Sequence, residues 1–265
     1  MGINDRKLKM KSAGPIISLC ILLSVMFTLS SHAKESLTII TDDWPPYEYE
    51  ANDRIVGFST EIVEAVLKDM NVKISSLRIY PWARAETLAF SGKVDMIYSA
   101  SKSSKRLEHC HFPDEPLIIS PNVLFIRKAD VGKLRFDSFS DLKGYRVGIV
   151  RDYAYTDAFL NYLKIEGIET ITVWDDTTNF KALIDKRVDY IPADLGNGRG
   201  IVEKLSLEGQ LYAFQDNPLK TAGLYTLFSK KRVDASFVEK FSQYLARFKA
   251  TAAYRTIHEK YFSLD

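Results

Sequence analysis

Apolar residues along this chain come in short blocks, and their spacing switches repeatedly between the two-residue period of a strand and the 3.6-residue period of a helix. Leu37-Thr38-Ile39-Ile40 reads as a buried strand, and Asp42-Asp43-Trp44-Pro45-Pro46-Tyr47 as a loop, because two prolines forbid a helix there. Ile62, Val63, Val66, Leu67 and Met70 then form one stripe at helical spacing, with Ser59 placed to cap that helix and Glu61 suited to its positive end. A strand at 72–79, a helix at 83–91 and a strand at 94–98 complete a β-α-β-α-β run. The pattern recurs as strand 145–150, helix 155–163, strand 170–173, helix 179–186 and strand 188–191. Such alternation predicts an α/β fold with parallel pairing, in two similar units. Between the runs lie an apolar block at 123–126 and a polar stretch at 127–140, while 224–228 reads as a late strand. Phe237, Phe241, Tyr244, Leu245 and Phe248 share one face of a helical tail. No solenoid repeat or low-complexity tract interrupts the pattern.

The first 33 residues stand outside that rhythm. Arg6, Lys7, Lys9 and Lys11 precede an apolar run from Pro15 to Leu29 that ends in Ser30-Ser31-His32-Ala33, the layout of a secretory signal cleaved near Ala33. The run is short for a membrane span, which needs roughly 20 apolar residues. Bulky Leu19 precedes Cys20, where a lipid-modified cysteine ordinarily follows a small residue, so no lipid anchor is expected. The whole chain carries a formal charge of +2, but residues 1–33 hold four Lys/Arg and one Asp, so the remaining 232 residues carry −1. That balance offers no basic patch for nucleic acid. With Cys110 as the remaining cysteine, no intramolecular disulfide can brace the mature chain, and its hydrophobic core must hold it together.

Several short motifs occur in a recognisable order: Thr41-Asp42 through Pro46-Tyr47-Glu48, Gly57-Phe58, Gly92-Lys93-Val94-Asp95, Lys105-Arg106 with Phe112, Leu142-Lys143-Gly144-Tyr145-Arg146-Val147-Gly148, and Lys260-Tyr261-Phe262. In that order and spacing the chain resembles the family 3 extracellular solute-binding proteins, which include periplasmic receptors for polar amino acids, over nearly all of residues 36–262. The resemblance implies the type II periplasmic-binding-protein fold, with two α/β lobes, a two-crossover hinge and a ligand cleft between the lobes. Lobe one is expected at 36–126 and 225–265, lobe two at 130–221, with crossovers near 126–129 and 221–225. It further implies a periplasmic, monomeric receptor that captures a small polar solute, an amino acid or derivative, and delivers it to an inner-membrane ABC permease without a cofactor.

The resemblance also places the binding residues. Arg106 matches the position where the family sets a guanidinium against the ligand's α-carboxylate, a role suited to its planar fork of donors. Asp194 matches the acid that receives the ligand's ammonium; capping the next helix is its alternative task. Ser99 and Ser101 follow a strand of a parallel sheet, where ligands of such sheets collect, and could equally be turn formers. Trp44 and Tyr47 fall where the family supplies an aromatic wall, with Trp82 and Arg84 opening a helix beside the same cleft. The chain departs from amino-acid receptors at Arg151-Asp152-Tyr153-Ala154, where a glycine and a hydroxyl residue are usual. Free amides there could still bind an anion, with Tyr153 as a further contact, but Asp152 would repel a carboxylate. A modified or cationic ligand is then an open alternative. His109-Cys110-His111 would place two imidazoles on one face of a strand, although no second pair completes a zinc set.

Two other function classes compete. Periplasmic dehydratases share the fold, with Glu48, Glu61 or Asp194 as conceivable acids, and turnover of prephenate or arogenate would reveal one. A free receptor feeding a separate sensor kinase is the other, while the ending at Asp265 leaves no fused sensor module expected. A scaffold role would leave convergent polar residues in a cleft without a purpose.

Overall fold

A computed structural model describes residues 1–2 and 34–262, so the export segment and its cleavage site lie outside the described residues. The first βαβαβ run is present: β1 (Ser36–Thr41), α1 (Phe58–Asp69), β4 (Lys73–Ile79), α2 (Trp82–Ser91) and β5 (Met96–Ala100). β1 lies between β4 and β5 and pairs parallel with both. A hairpin of β2 (Tyr49–Ala51) and β3 (Arg54–Val56) interrupts the run before α1. Ser59 does not cap α1. The helix starts at Phe58 after Gly57 (φ 126°), and its first amides donate to the carbonyls of Pro46 and Tyr47 instead. A side chain at Gly57 would meet the Tyr47 carbonyl at 2.3 Å, so glycine is needed for the loop to sit there.

After α3 (Ser104–His109) and the short β6 (Cys110–His111), the long β7 (Ile118–Arg127) leads into the second unit. That unit holds β8 (Val147–Val150), α4 (Asp157–Ile165), β9 (Thr170–Val173), α5 (Asp176–Ile184), β10 (Ile191–Asp194) and α6 (Leu195–Lys204). β8 and β9 pair parallel, and the strand expected at 188–191 forms three residues later as β10. β11 (Leu211–Ala213) pairs with β7, and the equally long β12 (Lys220–Ser229) returns to the first unit. α7 (Ala235–Lys249) and α8 (Ala252–Phe262) finish the chain. The strand order β10-β7-β12-β5-β1-β4 threads both units, with β7 and β12 antiparallel in the middle.

Packing shows where each strand changes partners. Leu117 and Leu224 bury themselves with β1, α1 and the α7 residues Val238, Phe241, Leu245 and Phe248. The tail's aromatic face thus packs against β1 and α1. By contrast Val123, Leu124, Phe125 and Ile126, expected with lobe one, pack among second-unit residues such as Phe180, Ile191, Phe159 and Tyr190. Among the described residues, no helix is long and apolar enough to cross a membrane.

Candidate functional site

The cleft between the two units encloses about 610 Å³ of space free of atoms, its open mouth included, within the range of small-molecule sites. The first unit supplies Asp42, Trp44, Glu48, Trp82, Ser99, Ser101 and Arg106; the second supplies Tyr153, Ala154, Tyr155 and Asp194. Ser120, Asn122 and Lys220 enter from β7 and β12. Trp44, Trp82, Ser99, Ser101, Arg106, Tyr153 and Asp194 therefore meet in one place. Tyr47 and Arg84 do not line it. Tyr47 is fully buried beneath Trp44, the two rings stacked at 4.8 Å, and Arg84 lies exposed over the Tyr80 ring.

Arg106 is buried at the first turn of a helix whose N-cap is Ser103. Its Nε donates to Glu86 Oε1 at 2.9 Å, its Nη1 to the Ser101 carbonyl at 2.9 Å and its Nη2 to the Asp152 carbonyl at 3.3 Å. Trp82 covers one face of the guanidinium, 4.8 Å from its ring centre. Glu86 also takes a hydrogen bond from Lys105 at 2.6 Å. The charge of Arg106 is thus matched inside the protein. Lys220 turns its ammonium to the Ala154 carbonyl, and burial, aided by the charge of Arg106, pushes its pKa down.

Carboxylates dominate the remaining polar surface. Asp194 caps α6 by accepting the Asn197 amide at 3.0 Å, and accepts the Tyr47 hydroxyl at 2.7 Å. The capping role and the place in the cleft coexist. Burial raises its pKa against those hydrogen bonds. Glu48 is also buried and accepts the Ser99 hydroxyl at 2.6 Å; burial, the dominant cause, holds its pKa well above the usual range. Ser99 makes that contact from a left-handed conformation (φ 61°), strain of a kind often found in ligand clamps. Asp42, at the end of β1, is pushed up to about 7 by burial, with Asp176 adding to the effect. Asp176, the first residue of α5, accepts Trp44 Nε1 at 2.8 Å and the Tyr153 hydroxyl at 2.9 Å on one oxygen, while its buried Oδ1 has no partner. It too is pushed up to about 7, by burial and by the charges of Asp194 and Asp175.

Sequence reasoning named neither Asp176 nor Lys220 nor Glu86 as a site residue. Asp42 lay inside the Thr41-Asp42 motif without a role, and Glu48 was named as an acid alone. Glu61, the third acid, lies away from the cleft and accepts Lys260 and Tyr261. His109 ends α3 with its ring on Phe90, so it does not share a strand face with His111. No group of three metal-binding side chains occurs among the described residues.

Residues 37–264 match the model for bacterial extracellular solute-binding proteins, family 3. The chain is 24% identical over 263 residues to the arginine-binding extracellular protein ArtP of Bacillus subtilis (strain 168), covering 94% of this chain and 96% of that one. It is similar to an ancestral arginine-binding protein bound to arginine, with a TM-score of 0.72 at 21% identity over 88% of this chain and 100% of the other. A histidine kinase sensor domain similar to periplasmic binding proteins superposes with a TM-score of 0.74 at 22% identity, covering 88% and 98%.

Proposed function

The chain belongs to the bacterial extracellular solute-binding proteins of family 3, and on that premise we propose that it captures a small cationic solute, a basic amino acid or its derivative, for delivery to an inner-membrane ABC permease. The observation that carries this reading is the charge of the cleft. Asp42, Glu48 and Asp194 line it and Asp176 stands behind Trp44, against Arg106, already matched by Glu86, and Lys220. A buried carboxylate regains stability when a cation enters a site from which water leaves. The name of ArtP agrees with a basic amino acid.

The lobes in this reading meet within β7 and β12, because the ends of each strand pack with different cores. A solute touching Asp42 on one side and Asp194 on the other would draw the lobes together. A thermal-shift screen of basic amino acids, amines, neutral and acidic amino acids tests the reading. A cationic hit at a hundred times its Kd should add about 2.7 kcal/mol of stability. Stabilisation by acidic or neutral amino acids alone would refute it.

A further inference from the structure

Resting on the reading that the cleft takes a cation, we propose that the solute carries no carboxylate: it is an organic amine or guanidinium compound rather than a zwitterionic amino acid. Three features of the cleft argue against an α-carboxylate. The guanidinium that would hold one is turned to Glu86, a buried anion 2.9 Å away, and a second anion brought to Arg106 would meet its repulsion, offset in part by Lys105 on the same carboxylate. One N–H on each terminal nitrogen goes to a carbonyl oxygen, Ser101 from its own lobe and Asp152 from the facing one, so a carboxylate bound at that end would sit beside both carbonyls.

The facing lobe offers few amides in exchange. Asp152 stands in a left-handed turn (φ 60°), and three amides beside it are committed: Arg151 to the Val173 carbonyl, Tyr153 to Val150 and Tyr155 to Tyr153. α4 starts further along, and Thr156 takes the Phe159 amide. Lys220 is the other cation on the cleft wall, and it points to the Ala154 carbonyl. Carbonyl oxygens thus stand beside both cations of the cleft wall, Arg106 and Lys220. The cation-receiving side is the reverse, with Asp42, Glu48 and Asp194 on the wall and Asp176 behind Trp44.

Agmatine and L-arginine share a guanidinium and a carbon chain and differ by the carboxylate, so their ratio isolates the question. Titration calorimetry of the purified protein with each, and with putrescine, should show agmatine binding about 100-fold tighter than L-arginine, because like charges brought together in a closed site are strongly disfavoured. Equal or tighter binding of L-arginine overturns the proposal while leaving the cation reading intact. If none of the three binds and a neutral or acidic amino acid does, both readings fall together. Glu86→Gln removes the charge that occupies Arg106, and should narrow the preference for agmatine about tenfold; an unchanged ratio would show that Glu86 does not exclude the carboxylate. Lys220→Met should change agmatine and L-arginine affinity by the same factor, whereas a selective loss of L-arginine binding on that change would make Lys220 a carboxylate anchor and sink the idea.

Discussion

Replacing Asp176 by Asn should stabilise the ligand-free protein at pH 8 and do nothing for it at pH 5. The isosteric amide keeps an oxygen for Trp44 Nε1 and the Tyr153 hydroxyl, but removes a charge that burial disfavours. The gap between the ordinary 3.8 and about 7 is worth about 4 kcal/mol at 1.36 kcal/mol per pH unit. Against that, the new NH2 replaces Oδ1, which is buried without a partner, and an unmade buried hydrogen bond costs about 1–3 kcal/mol. A net gain of about 1–3 kcal/mol remains, or about 3–8 °C in Tm for a chain of this length. The sign follows from linkage. The folded carboxyl holds its proton up to about 7 while the unfolded one loses it near 3.8, so parental stability falls as pH rises between those values and the penalty is full above 7. At pH 5 the unfolded carboxyl has already lost its proton and about 1.6 kcal/mol of the penalty is present, close to the cost of the unpartnered NH2, so the two cancel. Differential scanning fluorimetry of both proteins at pH 5 and pH 8 decides: an equal shift at the two pH values, or a lower Tm at pH 8, refutes the reasoning. Calorimetry of the same variant should show weaker cation binding, by about 10-fold or more, since the group that burdens the free protein is one that a cation would relieve.

The loop at 44–47 docks on the glycine-rich start of α6, where a Cβ at Gly200 would lie 2.7 Å from the Pro45 carbonyl and one at Gly196 2.5 Å from the Tyr47 hydroxyl. Gly200→Ala should therefore hold the lobes apart, seen as a larger radius of gyration by small-angle scattering; an unchanged radius without ligand would show that this contact does not govern closure. Asp95, 2% exposed and bonded to Thr38, Lys34 and Arg232, is held at about 2 by those partners despite its burial. Asp95→Ala should cost about 2–3 kcal/mol at pH 7, and that cost should shrink as pH drops from 4 towards 2, since the parent loses the contribution there; a cost independent of pH in thermal unfolding would contradict the assignment. Arg106→Ala should cost about 3 kcal/mol of stability by leaving buried Glu86 with Lys105 as its remaining partner, whereas Asp194→Ala should abolish solute binding at smaller cost to the fold. The reverse ordering in denaturant melts would show that Arg106 is not a structural partner of Glu86.

The alternating units were legible because parallel strands buried by helices read as apolar runs at fixed intervals, as in Leu37–Ile40 and Val147–Val150. α6 was not, since Gly196, Gly198 and Gly200 lower helix propensity and are retained for close approach: Gly198 lies against the Phe125 ring, and the other two against the Pro45–Tyr47 loop. The hinge was hidden for a different reason. β7 and β12 are continuous strands whose two ends belong to different cores, and nothing in their hydrophobic pattern marks the change. At the site, the positions of Ser99 and Asp194 near strand ends and of Arg106 on α3 followed from motif order. What those side chains touch did not. Glu86 falls on the apolar face of α2 as a buried charge, and its partner is 20 residues away, so its residue type pointed to solvent against its place in the helical period. Asp176 reads as an ordinary first-turn helix acid.

The two lobes bring like charges together: Asp42 and Glu48 from the first and Asp194 from the second line the cleft, and Asp176 of the second stands behind Trp44. Closing an empty cleft therefore costs either mutual repulsion between ionised carboxylates or the uptake of protons by groups poised near neutrality, Asp42 and Asp176. A bound cation takes the place of those protons. Closure would then be driven by the solute's charge before any shape fit, and binding between pH 6 and 7 should release protons, measured as calorimetric heats that change with the buffer's ionisation enthalpy. Heats that do not depend on the buffer would mean that the carboxylates were ionised before the solute arrived, and that contacts between the lobes, such as Asn197 to the Pro45 carbonyl at 2.8 Å, offset their repulsion.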